Sequence, residues 1–128
     1  MHIPSSLVLK ESPIHGLGIF AAKDLPPNTK LGFFEGDKYT YKEFKEKYGA
    51  DITYCFTAKR HNYILCAKET RNFITYINEQ QEPNVALIKR NLTTLRSISK
   101  GEELFLHYGP KYPRDYSLTS QSKETTMG

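Results

Sequence analysis

Three features of the sequence predict a mostly-β fold. Runs rich in β-branched and aromatic residues are short, Gly, Pro, Asn and Asp punctuate them, and only one stretch has helical spacing. Strands are expected at 6–10, 18–22, 30–34, 53–58, 62–66, 85–89, 91–97 and 103–108. Leu25-Pro26-Pro27-Asn28, Glu35-Gly36-Asp37 and Ser99-Lys100-Gly101 read as turns, since Pro presets φ and Gly and Asn accept left-handed backbone. The exception is 40–48. Thr40 with Glu43 three residues on has the form of a capping box, and Tyr41, Phe44 and Tyr48 recur at helical spacing before Gly49. One short amphipathic helix is expected there, its aromatic stripe packed on the core.

At 128 residues the chain has the size of one domain, and 38% hydrophobic residues with nine Tyr and seven Phe suffice for a packed core. The apolar runs fall far short of the roughly 18 residues that span a bilayer, so no membrane segment is expected. The N-terminus does not read as a secretory signal, which places the protein inside the cell. The folded unit is expected over 5–116. Residues 117–128, polar and rich in Ser and Thr, have little to bury and are expected to form a flexible tail. The net charge of +4 comes from basic residues spread from Lys10 to Lys123 among acids, which predicts a mixed solvated surface rather than direct nucleic-acid binding. Cys55 and Cys66 belong to no C-x-x-C pair, so both are expected to be buried small residues, and no metal site is expected.

Three segments carry residues suited to chemistry. In Ser12–Ala22, Gly16 and Gly18 flank one residue just before a strand. That is either a turn needing positive φ or backbone that a ligand approaches closely. A dinucleotide fingerprint is excluded, because the third spaced glycine is absent and a strand follows where a helix would start. In Asn72–Asn84, Asn78 follows a hydrophobic stretch and opens a polar loop closed by Pro83-Asn84, which could equally be a turn capped by Asn side chains. Ser99–Gly109 is a turn into an apolar strand ending in Tyr108-Gly109.

Taken in this order, the three segments resemble the SET-domain family of protein lysine methyltransferases, over residues 7 to 112. Ser12–Ala21 matches the family's opening S-P-x-x-G-x-G-(V/I)-F-A, Asn78 with Pro83-Asn84 its N-H-S-C-x-P-N, and Gly101–Gly109 its G-E-E-L-x-x-x-Y-G. Tyr54-Cys55-Phe56 looks like its Y-x-F strand. The resemblance implies small β-sheets with a knot-like C-terminal arrangement. It implies S-adenosylmethionine as cofactor, with Gly16, Leu17 and Gly18 holding its amino-acid end through backbone and Asn78 through its side-chain amide. Arg71 and Phe73 would lie near cofactor or substrate. Tyr108 would carry catalysis beside the cofactor, and Tyr54 and Phe56 would contact the substrate lysine. Glu79 stands where the family has His, and is expected to be an acid facing cofactor or substrate. Gln80 and Gln81 replace the family's Ser and Cys, and His107 its Asp or Phe. Tyr76-Ile77-Asn78 also resembles the related PR-domain branch, whose activity varies. Without the family's cysteine-rich flanking modules the sequence resembles stand-alone viral or bacterial members, for which host nuclei would be the site of action and homodimerisation a way to complete the channel.

These residues suit the chemistry. Methyl transfer from a sulfonium to an amine is an in-line displacement, so the protein must chiefly position and desolvate. The amine must be neutral, although a free lysine has a pKa of about 10.4, and a nearby sulfonium and an apolar channel both lower it. Hydroxyls of Tyr108 and Tyr54 can then orient the nitrogen, whereas a phenol is a poor base. His107 should point away from Tyr108, because successive strand residues face opposite sides. The implied substrate is a basic protein segment such as a histone tail, with Glu35, Asp37, Glu79 and Glu82 as the acids to receive it. Two other readings stay open. One is a catalytically inactive SET-like or PR-like domain that binds a peptide or partner protein, and the other is a small basic β-domain that stacks nucleic-acid bases on its tyrosines.

Overall fold

The computed structural model describes residues 1–58 and 61–107, and the backbone of 116–119. Its strands are β1 (Leu7–Glu11), β2 (Leu17–Ala21), β3 (Lys30–Phe33), β4 (Asp37–Thr40), β5 (Cys55–Ala58), β6 (Tyr63–Cys66), β7 (Asn78–Glu79), β8 (Val85–Ile88), β9 (Asn91–Thr94), β10 (Phe105–Leu106) and β11 (Tyr116–Thr119). The helix α1 is Tyr41–Tyr48, and Phe73–Tyr76 form a 3-10 turn. Four small sheets result, ordered β1-β2, β7-β10, β11-β5-β6-β4 and β3-β9-β8. Among the described residues only β7 and β10 pair in parallel. The mostly-β class expected from the sequence holds.

Helix α1 starts as the capping box predicts: Glu43 N donates to Thr40 Oγ1 at 3.1 Å and Thr40 N to Glu43 Oε1 at 2.9 Å. It ends at Gly49, whose φ of 68° few side chains tolerate. Of the expected stripe, Phe44 is buried and Tyr48 half-buried, but Tyr41 is exposed. Tyr39 on β4 takes the third aromatic place instead, 6.2 Å from the ring of Phe44 and 6.1 Å from that of Tyr48. Below lie Cys55 and Cys66, directly opposite each other in the β5–β6 register, with free thiols. Burial, followed by the neighbouring Cys66, pushes the Cys55 thiol far above its usual pKa.

The larger core fills the space between the sheets, where Phe34 and Phe56 stack at 5.7 Å. Segment 72–84 then threads against the later chain. Asn72 caps the 3-10 turn, its Oδ1 accepting from Ile74 N at 3.1 Å. Beyond it, Phe105 pairs with Asn78 and Leu106 with Glu79. Gln80 N donates to Leu106 O at 2.9 Å and Asn84 N to Phe105 O at 3.1 Å. The buried Asn84 side chain completes the grip, accepting from Phe105 N at 2.7 Å and donating to Glu103 O at 2.9 Å. Residues 103–106 are thus held along their length by the 78–84 loop, the counterpart of the expected knot-like arrangement.

Several expectations are corrected. β4 runs from Asp37, expected in a turn, to Thr40, expected at the helix cap, and β7 lies where a loop is expected. The expected strand 103–108 is broken into a single antiparallel bridge of Glu103 to Phe20 and the short strand Phe105–Leu106, and Tyr108 lies outside the described residues. Residues 117–119, expected in the tail, belong to β11, which pairs with β5, while 120–128 lie outside the described residues. Among the described residues no helix is long and apolar enough to cross a membrane.

Two substitutions test this packing. A Cβ on Gly36 would stand 2.7 Å from the carbonyl oxygen of Cys66, so Gly36→Ala must push β4 from β6 and should cost about 1–3 kcal/mol, lowering Tm by several degrees. Asn84→Ala removes one buried and one partly buried hydrogen bond and strands the Phe105 N–H, and urea unfolding should record a loss of about 2–4 kcal/mol.

Candidate active site

The site is built where the β1–β2 hairpin meets β7 and the chain entering β10. Ser12 N donates to Gly16 O at 2.7 Å and closes the hairpin loop, and Gly16 takes φ 47° to make the turn. A Cβ at Gly16 would meet nothing within 4 Å, so open space lies over this backbone, and His15, Gly16 and Leu17 are all exposed. Gly18 is the opposite case: a Cβ there would collide with the carboxylate of Glu103.

Glu103 is buried, and its carboxylate joins three segments. Oε1 accepts from Ser12 Oγ at 2.8 Å and Oε2 from Asn78 Nδ2 at 2.9 Å. The same Asn78 nitrogen also lies 3.1 Å from His15 O and 3.3 Å from Leu17 O. Asn78 is only 5% exposed. Its amide nitrogen, expected on the cofactor, is directed at the carbonyls of the glycine turn and fixes that turn's shape. Gly16, Leu17, Gly18 and Asn78 therefore come together as the sequence implies, with Glu103 as the member that sequence reasoning missed. Its signal was the pair Glu102-Glu103 entering an apolar strand. Glu102 faces outward, held by Arg96 at 2.6 Å and Ser99 N at 3.0 Å, which keep its carboxyl below the usual range, so Glu103 must face inward.

Glu79 continues β7 with a half-buried carboxylate 3.7 Å from His107 Nδ1. Phe73, expected near cofactor, is instead buried, its ring against Gly32 of β3. It anchors the 72–79 segment to the core and presents almost no surface to a ligand. Phe56, expected to contact substrate, is 1% exposed because its ring stacks on Phe34.

Tyr54 lies just before β5 rather than within a strand, with φ 62°, unusual for an aromatic residue. Its carbonyl accepts from Ala67 N at 3.0 Å. The Arg71 guanidinium lies 3.6 Å from the centre of the Tyr54 ring and 4.2 Å from that of Tyr76, and Arg71 Nε donates to Thr75 Oγ1 at 2.8 Å. Arg71, Glu35 and Asp37 line one cavity of about 330 Å³, which unites two of the four acids expected to receive a basic substrate. Glu79 is placed with His107 instead.

Similar proteins bear on this geometry. The family model described as SET domain matches residues 16–109. Histone-lysine N-methyltransferase SETD2 of Mus musculus and that of Homo sapiens are each 29% identical over 120 residues, covering 84% of this chain. The chain spans about 5% of the length of these relatives. Among solved structures, an apo form of the Chaetomium thermophilum Polycomb Repressive Complex 2 with two substitutions in Ezh2 superposes with TM-score 0.70 at 25% identity, over 88% of this chain and 16% of that one. An autoinhibited form bound to S-adenosylmethionine gives 0.69 at 24%, over 86% and 16%, a likeness of fold alone. With its glycine turn, Asn78 loop and closing segment brought together inside the matched region, the chain belongs to the SET-domain family.

Proposed function

We propose that this SET domain transfers a methyl group from S-adenosylmethionine to lysine side chains of a basic protein segment, of which a histone tail is the leading example. The observation that carries the reading is the Asn78 amide nitrogen within 3.1 Å of His15 O and 3.3 Å of Leu17 O, with Glu103 behind it. A glycine turn locked from below and open above fits the amino-acid end of the cofactor, which backbone groups of Gly16, Leu17 and Gly18 would hold. The histone-lysine activity named in the SETD2 relatives supports the substrate class.

S-adenosylmethionine, when bound, supplies the electrophilic methyl carbon. The protein's residues position the amine, strip its water and let its proton leave to solvent before attack. Tyr108, which ends the matched segment, is assigned to orient the amine nitrogen through its hydroxyl. Tyr54 is the second orienting hydroxyl. Its ring is clamped under Arg71, so little rotamer freedom remains to be lost when substrate arrives. Glu79, next to Asn78 in β7, would offer a carboxylate to cofactor or substrate, and Glu35 and Asp37 would offer theirs to the cationic flanks of a substrate.

The non-catalytic reading is favoured by one feature, the sequence Glu79-Gln80-Gln81 where family members carry His, Ser and Cys. Calorimetry separates the two, because a domain that binds no S-adenosylmethionine at millimolar concentration is no methyltransferase.

Tritiated-methyl transfer to a histone panel should show turnover by the wild type and a loss of about 10²-fold or more in Tyr108→Phe. Full activity in the phenylalanine variant would remove Tyr108 from the chemistry. Glu103→Gln should act one step back. It turns an amide N–H toward the donors Ser12 Oγ or Asn78 Nδ2, loosens the turn, and should weaken cofactor binding by calorimetry while circular dichroism stays native.

A further inference from the structure

We propose that a basic cleft between the two larger sheets docks the phosphate backbone of a nucleic acid. The cleft encloses about 520 Å³ and is lined by Lys38 of β4, His61 just before β6, Tyr63 at its start, and Lys89 and Arg90 in the β8–β9 turn, with Phe56 at its floor. Among the described residues none that lines it is acidic. Among the described residues, Lys38, Lys89 and Arg90 make no ion pair, so their charge is offset only by water and counterions.

The cations are held in place. Arg90 donates from Nε at 3.2 Å and Nη2 at 3.1 Å to Phe34 O, which fixes the guanidinium 5.0 Å over the exposed Phe33 ring. Lys38 Nζ sits 4.6 Å over the Tyr63 ring, and His61 stacks on Tyr63 with centroids 6.3 Å apart. Lys89 sits in the turn with φ 63° and is exposed.

Point cations beside planar groups fit a polymer that alternates phosphate with flat bases. An acidic peptide would use the cations and leave the planes of His61, Tyr63 and the Arg90 guanidinium idle, which favours the nucleic acid. This surface is separate from the glycine turn, and its docking stands whether or not the domain methylates lysine. It also revises the expectation from the dispersed charge along the sequence: folding gathers Lys38, Lys89 and Arg90 from segments far apart in the chain.

Fluorescence anisotropy with a labelled single strand of about 16 nucleotides, and with the matching duplex, tests the proposal. Three phosphate contacts predict that log affinity falls against log salt concentration with a slope of about −2 to −3. The double variant Lys38→Gln/Lys89→Asn should bind more weakly and with a slope shallower by about 1.4–1.8, asparagine being chosen because it tolerates positive φ. Circular dichroism and thermal unfolding of the variant should match wild type. Binding to either form supports the proposal: tighter binding of the single strand adds base stacking, and equal binding assigns the contact to phosphates. The proposal fails if neither oligonucleotide binds in a salt-dependent way, or if the double variant keeps the wild-type slope. It fails equally if polyglutamate displaces the label as well as unlabelled oligonucleotide does.

Discussion

The buried carboxylate of Glu103 is the constraint on which the rest of the structure depends. A charge out of water is tolerated only when hydrogen bonds replace its hydration, and Ser12 Oγ and Asn78 Nδ2 do so at 2.8 and 2.9 Å. Those partners lie 91 and 25 residues away in sequence, so satisfying one side chain fixes the hairpin loop, the 78–84 loop and the chain entering β10 relative to one another. Gly18 follows from the same requirement, because any Cβ there would displace the carboxylate. Bonds to a charged acceptor contribute about 1.5–3 kcal/mol each, whereas an unpaired buried carboxylate costs more than that, so the three segments support one another through this side chain. The glycine turn is therefore shaped by the fold's own polar bookkeeping before any ligand arrives.

A second organising element is β4. Its residues alternate faces, as every strand's must, and its sequence Asp37-Lys38-Tyr39-Thr40 puts different chemistry on each side. Asp37 lines the cavity with Glu35 and Arg71, and Tyr39 packs on the helix, while Lys38 turns to the cleft with Arg90 and Tyr63. Folding thus sets a cavity of mixed charge, with Glu35 and Asp37 facing Arg71, on one side of β4 and a basic cleft on the other.

Much of this was legible in the sequence, and the losses have physical causes. The eight expected strands all have counterparts, because each carries β-branched or aromatic residues between turn formers, and the helix was marked by its capping box. β4 was missed since an edge strand with charged residues and one half-buried tyrosine lacks an apolar signal. β7 was missed because two residues make no pattern, and their pairing with β10 is a tertiary contact 27 residues away. Within the site, motif order located the Gly16–Gly18 turn and Asn78, but the motif could not say what the Asn78 amide touches. That Phe73 and Phe56 are buried was not legible for one reason: an aromatic residue near a functional segment looks the same in sequence whether it faces ligand or core. Glu103 was overlooked because a second glutamate after a glycine turn reads as solvated surface until the register of the next strand is known.

The departures from the family pattern, finally, are not independent losses. Where family members carry His after the asparagine and Asp or Phe before the tyrosine, this chain has Glu79 and His107. The β7–β10 register pairs Leu106 with Glu79, and Glu79 Oε2 and His107 Nδ1 lie 3.7 Å apart. An imidazole and a carboxylate stand beside each other here with their positions exchanged relative to a member that has His and Asp. Asn78 meanwhile keeps its hold on His15 O and Leu17 O without help from residue 79. The geometry of the glycine turn therefore rests on Asn78 and Glu103, while Glu79 is engaged with His107 at the neighbouring strand end.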